Sequence, residues 1–198
     1  MTDTIDIIDH LVGVKPGSKA EGLRVRRPVT REHAQKSWLA LFEPADVSQL
    51  SLAERFALAT FVALLHEQTD IAGFYAEKLA GLDNGTAYLS TIQGLAELNS
   101  ARGPYGHYPA GPLSVENTDG PALNVTAGDR DALGEKLAVA LYHAHLLVFR
   151  PREASPAALQ ALLSAGWSTT GIVTLSQLVA FLAFQIRVVA GLKTLAAA

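Results

Sequence analysis

The chain has 198 residues, enough for one domain with a substantial core. Hydrophobic residues make up 49% of it and charged residues only 18%, more apolar surface than one protomer readily covers, so a homo-oligomer is expected. A net charge of −3 gives no electrostatic reason to expect nucleic acid, and the absence of cysteine excludes disulfides, thiolate metal sites and cysteine redox chemistry.

A short amphipathic helix is predicted over residues 4–11, followed by a Gly/Pro/basic linker to about Pro28. Residues 1–29 thus read as an N-terminal helix and linker, and 30–198 as the main helical domain. The basic stretch "RVRRPVTREHAQK" (24–36) reads as a solvated arm or a salt-bridged helix start. The first residues, "MTDTIDIIDHLVGV", carry acids where a secretion signal has a basic start, so a cytoplasmic protein is expected.

The next helix, "TREHAQKSWLALF" (30–42), has Thr30 as its predicted N-cap and Glu32 in the first turn. "SLAERFALATFVALLHEQ" (51–68) offers Ser51 as N-cap with Glu54 at capping-box spacing. Glu54 also shares a helix face with Leu58, Phe61 and Leu65, so it reads either as a cap or as a carboxylate facing an apolar pocket. Helices over 69–82 and 86–99 follow, the second after the turn "DNG".

Residues 100–127 contain four prolines and four glycines and predict a long ordered loop or lid. Its "GPYGHYP" places His107 between Tyr105 and Tyr108, which suits either a ligand lid or a crossing loop packed on helices. Helix resumes over 129–149, 155–166 (Ser155 as cap, Pro156 in the first turn) and 171–192. His143 and His145 stand two apart, roughly 200° around a helix, so at most one is expected to point inward. Glu54–Leu65 and Glu135–Leu146 echo each other, which is compatible with a duplicated helical hairpin. No alternating strand pattern occurs, and the predicted fold is all-α.

The last helix is the most informative. Ile172, Leu175, Val179, Leu182, Ile186 and Val189 form one apolar stripe, and Leu178, Phe181, Val188 and Leu192 a second. On the other side runs a strip of small residues, Ser176, Ala180, Ala183 and Ala190, to which Arg187 belongs. Burial on two sides is expected, one against another protomer. Arg187 then has a structural role and needs a carboxylate or a helix C-terminus as partner; Glu54 and Glu135 lead the candidates. No membrane span is expected, because the longest wholly apolar run, "LVAFLAF", is too short for a bilayer.

With these elements placed, residues 50–79 ("LSLAERFALATFVALLHEQTDIAGFYAEKL") and 163–192, including "FQIRVVAGL", resemble the carboxymuconolactone decarboxylase/AhpD-like superfamily, in its peroxidase-related branch. The resemblance implies an AhpD-like helical bundle that assembles into dimers, trimers or hexamers through its long helices. Redox members of that superfamily use a glutamate, then a CxxC, then a histidine. In one register Gln68 and Ile71 stand at the cysteines, Phe74 or Tyr75 at the histidine and Phe56 at the glutamate. In the other, Glu54 keeps its place while His66 and Thr69 stand at the cysteines and Gly73 at the histidine. Neither register supplies a thiolate, so the family's thiol peroxidase chemistry is not available.

Two uses of the inherited site are expected to compete with a purely structural, oligomeric role. A small apolar or aromatic molecule could bind there, with Gln68, Tyr75 and His107 as polar contacts. Alternatively Glu54 and His66 form an acid–base pair of a decarboxylase, lyase or isomerase. No cofactor is expected, and no metal either: His66 and Asp70 are four apart, but no third ligand is placed.

Overall fold

The computed structural model describes residues 5–197, so residue 4, the predicted start of the first helix, lies outside the described residues. Ten α-helices occur among them: α1 Ile7–Val12, α2 Lys19–Val25, α3 Pro28–Phe42, α4 Leu52–Leu65, α5 Thr69–Ala80, α6 Gly85–Asn99, α7 Ala127–Leu133, α8 Glu135–Phe149, α9 Pro156–Ser164 and α10 Thr169–Ala197. Two short 3-10 turns, Pro112–Glu116 and Pro151–Glu153, join them. The only sheet-type pairing among the described residues is an isolated antiparallel bridge between Gly106 and Thr118. The all-α expectation holds.

Local chemistry explains most helix boundaries. Ser51 Oγ accepts the Glu54 amide and Glu54 accepts the Ser51 amide at 2.8 Å, closing the predicted capping box of α4. Ser155 caps α9 ahead of Pro156, as read from the sequence. Two expectations fail at α2 and α3. The linker contains a helix, α2, because Ser18 caps it by accepting the Glu21 amide. Helix α3 starts two residues before Thr30, with Pro28 in its first turn, where its missing N–H removes no helix bond.

Helix α4 is the axis of the fold. Ten of its fourteen residues are buried, and α3, α5, α6, α8 and α10 all pack against it. Alanines at 57, 59 and 63 let these neighbours approach, while Leu58, Phe61 and Val62 fill the space between them. Helices α1 and α2 lie against α3 and α10, and Ile7 and Ile8 of α1 join the same core. An ion cluster holds them there: Arg24 Nε and Nη2 donate to Asp9 and Asp6 at 2.7 and 2.8 Å, and Arg31 reaches Asp9 at 2.5 Å.

The first stripe of α10 is covered within the chain and the second in part, with Val188 and Leu192 half-buried. Leu175, Leu178, Leu182 and Val189 are fully buried, and Val179, Phe181 and Ile186 nearly so. Each fully buried leucine contributes about 1.5–3 kcal/mol. The two-sided burial thus comes from one protomer, because α1 to α4, α8 and α9 surround the helix. What remains outside is a third side: Val173, Gln177, Ala180, Phe184, Arg187 and Gly191 are exposed, whereas Ser176, Ala183 and Ala190 of the expected small-residue strip are half-buried. Contrary to the reading from its polar interruptions, α10 is long and apolar enough to cross a membrane, but half of its most apolar stretch is buried against the rest of the chain. The core helix of a folded domain passes the same test of length and composition.

Both His143 and His145 are buried, where at most one was expected to point inward. They do lie on opposite faces of α8, but both faces are covered. His143 Nε2 meets Ser176 Oγ of α10 at 3.2 Å, and His145 Nε2 meets the Asn99 carbonyl at the end of α6 at 3.2 Å. The echoing helix pairs differ in packing: α5 buries four residues, α9 only Leu162.

Candidate functional site

The predicted site residues divide among four places. Glu54 belongs to the start of α4, where one carboxylate oxygen holds the Ser51 amide and the other pairs with Lys136 Nζ at 2.9 Å. Lys136 in turn sits over the Trp167 ring, 4.2 Å from its centre. With both oxygens engaged, Glu54 joins α4 to α8. His66 is at the other end of α4, about 18 Å away for twelve residues of helical rise. The Glu54–His66 pair expected for acid–base chemistry is therefore not assembled.

Tyr75 is fully buried. Its ring lies 5.0 Å from Phe42 and 5.1 Å from Phe74, and its hydroxyl donates to Gln185 Oε1 at 2.6 Å. Burial pushes the phenol well above its ordinary range, so it stays protonated. This is a filled core, with no room for a ligand at Tyr75. Gln68 precedes α5, half-buried, and its side-chain amide donates to the His66 carbonyl at 3.3 Å. It supports the α4–α5 turn, where Glu67 takes a left-handed conformation (φ 57°).

His107 is exposed on the crossing loop, with Nε2 2.7 Å from Asp119 and its backbone amide donating to Glu153. The loop is packed onto the bundle by Tyr105, whose ring stacks on Phe149 and whose hydroxyl donates to the Pro121 carbonyl at 2.8 Å. Gly120 lies against the Tyr105 ring so closely that any side chain there would collide with it. Of the two readings of this loop, the packed crossing loop matches the structure. His66 and Asp70 form no metal site: α4 ends between them, Asp70 pairs with Lys193 at 3.1 Å, and no metal-binding cluster occurs among the described residues.

Arg187 departs furthest from expectation. Glu135 is taken by Arg130 at 2.7 Å and Glu54 by Lys136, so neither proposed carboxylate reaches it. Its Nη1 instead donates to the Ala183 carbonyl of its own helix at 2.8 Å, and the side chain is exposed. The side of α10 it lies on faces outward, so the guanidinium needs no buried counter-charge. Arg55, which is buried, needs no carboxylate: it donates to the Leu41 and Leu50 carbonyls at 2.6 and 2.8 Å.

Arg187 does meet His66. Both line a surface recess of about 380 Å³ at the ends of α4 and α8. Leu65, Leu147, Val148, Phe149, Gly103, Pro104 and Pro151 form the rest of its wall. His66 Nδ1 lies 2.8 Å from the Val62 carbonyl. Burial lowers the pKa of the imidazole and the nearby Arg187 charge lowers it further, against the opposing pull of the Val62 bond. An imidazole held toward its neutral form, a permanent cation and a lining of mixed polar and apolar surface converge in this recess. Its size falls within the range of small-molecule sites. Sequence reasoning singled out His66 and Arg187 separately; it missed the residues from α8 and the crossing loop, which carry no local signal.

The chain matches no family model, no curated protein and no solved structure.

Proposed function

We propose that this all-helical, cysteine-free protein binds a small apolar or aromatic molecule in the recess that His66 and Arg187 share. The observation that carries the reading is the convergence of His66 and Arg187, far apart in the chain, on one open recess of suitable size whose lining is evenly mixed between polar and apolar surface. The resemblance to the AhpD-like superfamily bears on it only through the less favoured second register, in which His66 stands where redox members carry a cysteine; in the favoured one Gln68 and Ile71 stand there. Gln68 supports this site through the His66 carbonyl, while Tyr75 and His107 lie outside it. A lyase or isomerase built on Glu54 and His66 is disfavoured, because the two occupy opposite ends of α4.

The test is a panel of neutral aromatic compounds titrated into isotope-labelled protein. Binding shifts the resonances of His66, Leu65 and Leu147 together, and a Leu147→Trp substitution that fills the recess suppresses the shifts. A panel that leaves all three resonances unmoved removes the proposal.

A second reading concerns assembly. The outward strip of α10 carries Val173, Ala180 and Phe184 in the open, with Val29 exposed beside them on α3. A groove of about 400 Å³ between those helices is lined by Val29, Ala34, Phe181 and Phe184 together with Thr30, His33 and Ser37. We infer that copies of the chain associate through this face, which is the surviving form of the homo-oligomer expectation.

A further inference from the structure

The recess is lined by hydrogen-bond donors and acceptors of identifiable kind, and their kinds select a head group. The Val62 carbonyl can only accept, so His66 Nδ1 carries the proton and, in the neutral ring, Nε2 carries a lone pair. No protein donor reaches Nε2 among the described residues. A second acceptor comes from α8. The residue four after Leu147 is Pro151, which has no N–H, so the Leu147 carbonyl lacks its helix partner. Carbonyls point toward the C-terminal end of a helix, and Leu147 and Pro151 both line the recess there. The donors are on Arg187, which uses Nη1 on Ala183 and keeps the rest of its fork free.

A carboxylate would satisfy Arg187 but bring only lone pairs to His66 Nε2 and the Leu147 carbonyl. The negative ends of the α4 and α8 dipoles would oppose its charge as well. An ammonium group would meet the acceptors and be repelled by the guanidinium. A group with a carbonyl oxygen and an N–H on adjacent atoms serves Arg187 and one of the two acceptors, and a primary amide, with two N–H donors, has one for each. Resting on the binding reading above, the geometry points to a neutral primary or secondary amide with a flat apolar body as the ligand class of this recess. The carbonyl oxygen accepts from Arg187, the amide N–H donates to His66 Nε2 or the Leu147 carbonyl, and the apolar body lies on Leu65, Phe149 and Pro104. Burial and the Arg187 charge keep His66 neutral, which preserves the acceptor.

Benzamide and benzoate separate the possibilities, because they share size and shape and differ in the head group. Each is titrated into the labelled full chain at pH 8. Benzamide is expected to shift His66 and Leu147 and to bind at least about tenfold more tightly than benzoate, the effect of one mispaired charged contact. Arg187→Ala, at an exposed position, should keep the wild-type melting temperature and lose benzamide binding. His66→Phe keeps a ring of similar shape without the acceptor and should weaken benzamide by a comparable factor if it folds. Benzoate binding as tightly as benzamide, or an Arg187→Ala protein that binds benzamide normally, overturns the head-group assignment. So does failure of both compounds to bind. Binding in the recess as such survives those results as long as other neutral aromatics still shift His66, so the two proposals fail separately.

Discussion

Tyr75 and Gln185, 110 residues apart in the chain, meet in the core, where the Tyr75 hydroxyl donates to Gln185 Oε1 at 2.6 Å. Both side chains are fully buried, and Gln185 Nε2 has no partner among the described residues. This bond therefore provides the only polar contact of the Gln185 side chain. Tyr75→Phe leaves the amide unpaired and should lower stability by about 1–3 kcal/mol. Adding Gln185→Leu removes the other orphan and should restore most of the loss. Urea unfolding of the four proteins in a double-mutant cycle checks this; a Tyr75→Phe protein as stable as wild type contradicts it.

The three partly or fully buried histidines make stability depend on pH. Burial lowers the pKa of His66, His143 and His145 below that of a free imidazole. In the unfolded chain they titrate near the ordinary value of about 6.5. As pH falls through that value the unfolded state takes up protons first. Stability is therefore full above about pH 7 and declines below about 6.5, toward the lower native values. Each histidine adds a slope of up to about 1.4 kcal/mol per pH unit. Unfolding free energies at intervals from pH 8 to 5.5 should be flat and then fall, and His143→Asn should reduce the slope. A flat profile throughout rules the effect out.

The ion cluster at the N-terminal helices should be worth measuring directly. Arg24 is almost fully buried and donates to two carboxylates through separate nitrogens. Arg24→Ala leaves Asp6 and Asp9 mostly covered, with only the half-exposed Arg31 to compensate, and should cost about 3 kcal/mol. Arg24→Lys should recover only part, because one ammonium lacks the fork that spans both acids. Thermal melting with limited proteolysis near residues 13–18 reads the result. Equal melting points for the alanine variant and wild type would show that the cluster is not stabilising.

The two faces of α10 predict different outcomes for one kind of substitution. Leu182→Asp places a charge in the filled core and should prevent folding. Phe184→Asp lies on the exposed strip and should leave the fold intact while lowering the mass seen by light scattering, if copies pack there. A Phe184→Asp protein of unchanged mass above that of one chain places the interface elsewhere; a monomeric wild type eliminates the association altogether.

Thiol-dependent peroxidase activity should be absent, since no cysteine occurs in the sequence. Turnover of an alkyl hydroperoxide by metal-free protein with dithiothreitol, above that of a heat-treated control, would contradict this.

Features with local causes were readable from the sequence. The Ser51–Glu54 box, the Ser155–Pro156 start and the stripes of α10 each depend on residues within a few turns of one another. Helix α2 was hidden because its single glycine and the surrounding Gly, Pro and Arg residues resemble a linker; only the Ser18–Glu21 pair marked its start. Arg187 was misread for a different reason. A lone arginine in an apolar helix implies buried charge only if its face is covered, and which faces are covered depends on how the other nine helices pack. The recess has the same origin. His66, Arg187 and Leu147 come from three helices, and the open carbonyl of Leu147 follows from a proline whose effect shows only once α8 is known to end there.

The N-terminal clasp also bears on the order in which the protein takes shape during synthesis. Arg24, Asp6, Asp9 and Arg31 all lie within α1 to α3 and their connections, so their cluster closes from nearby residues as soon as α3 emerges. Helix α10, against which α1 and α2 also pack, is made roughly 140 residues later. At about 5–20 residues per second this delay is roughly 7–30 seconds. Through that interval Ile7 and Ile8 have α3 as cover but lack α10, so the nascent chain presents an apolar surface that a chaperone can hold.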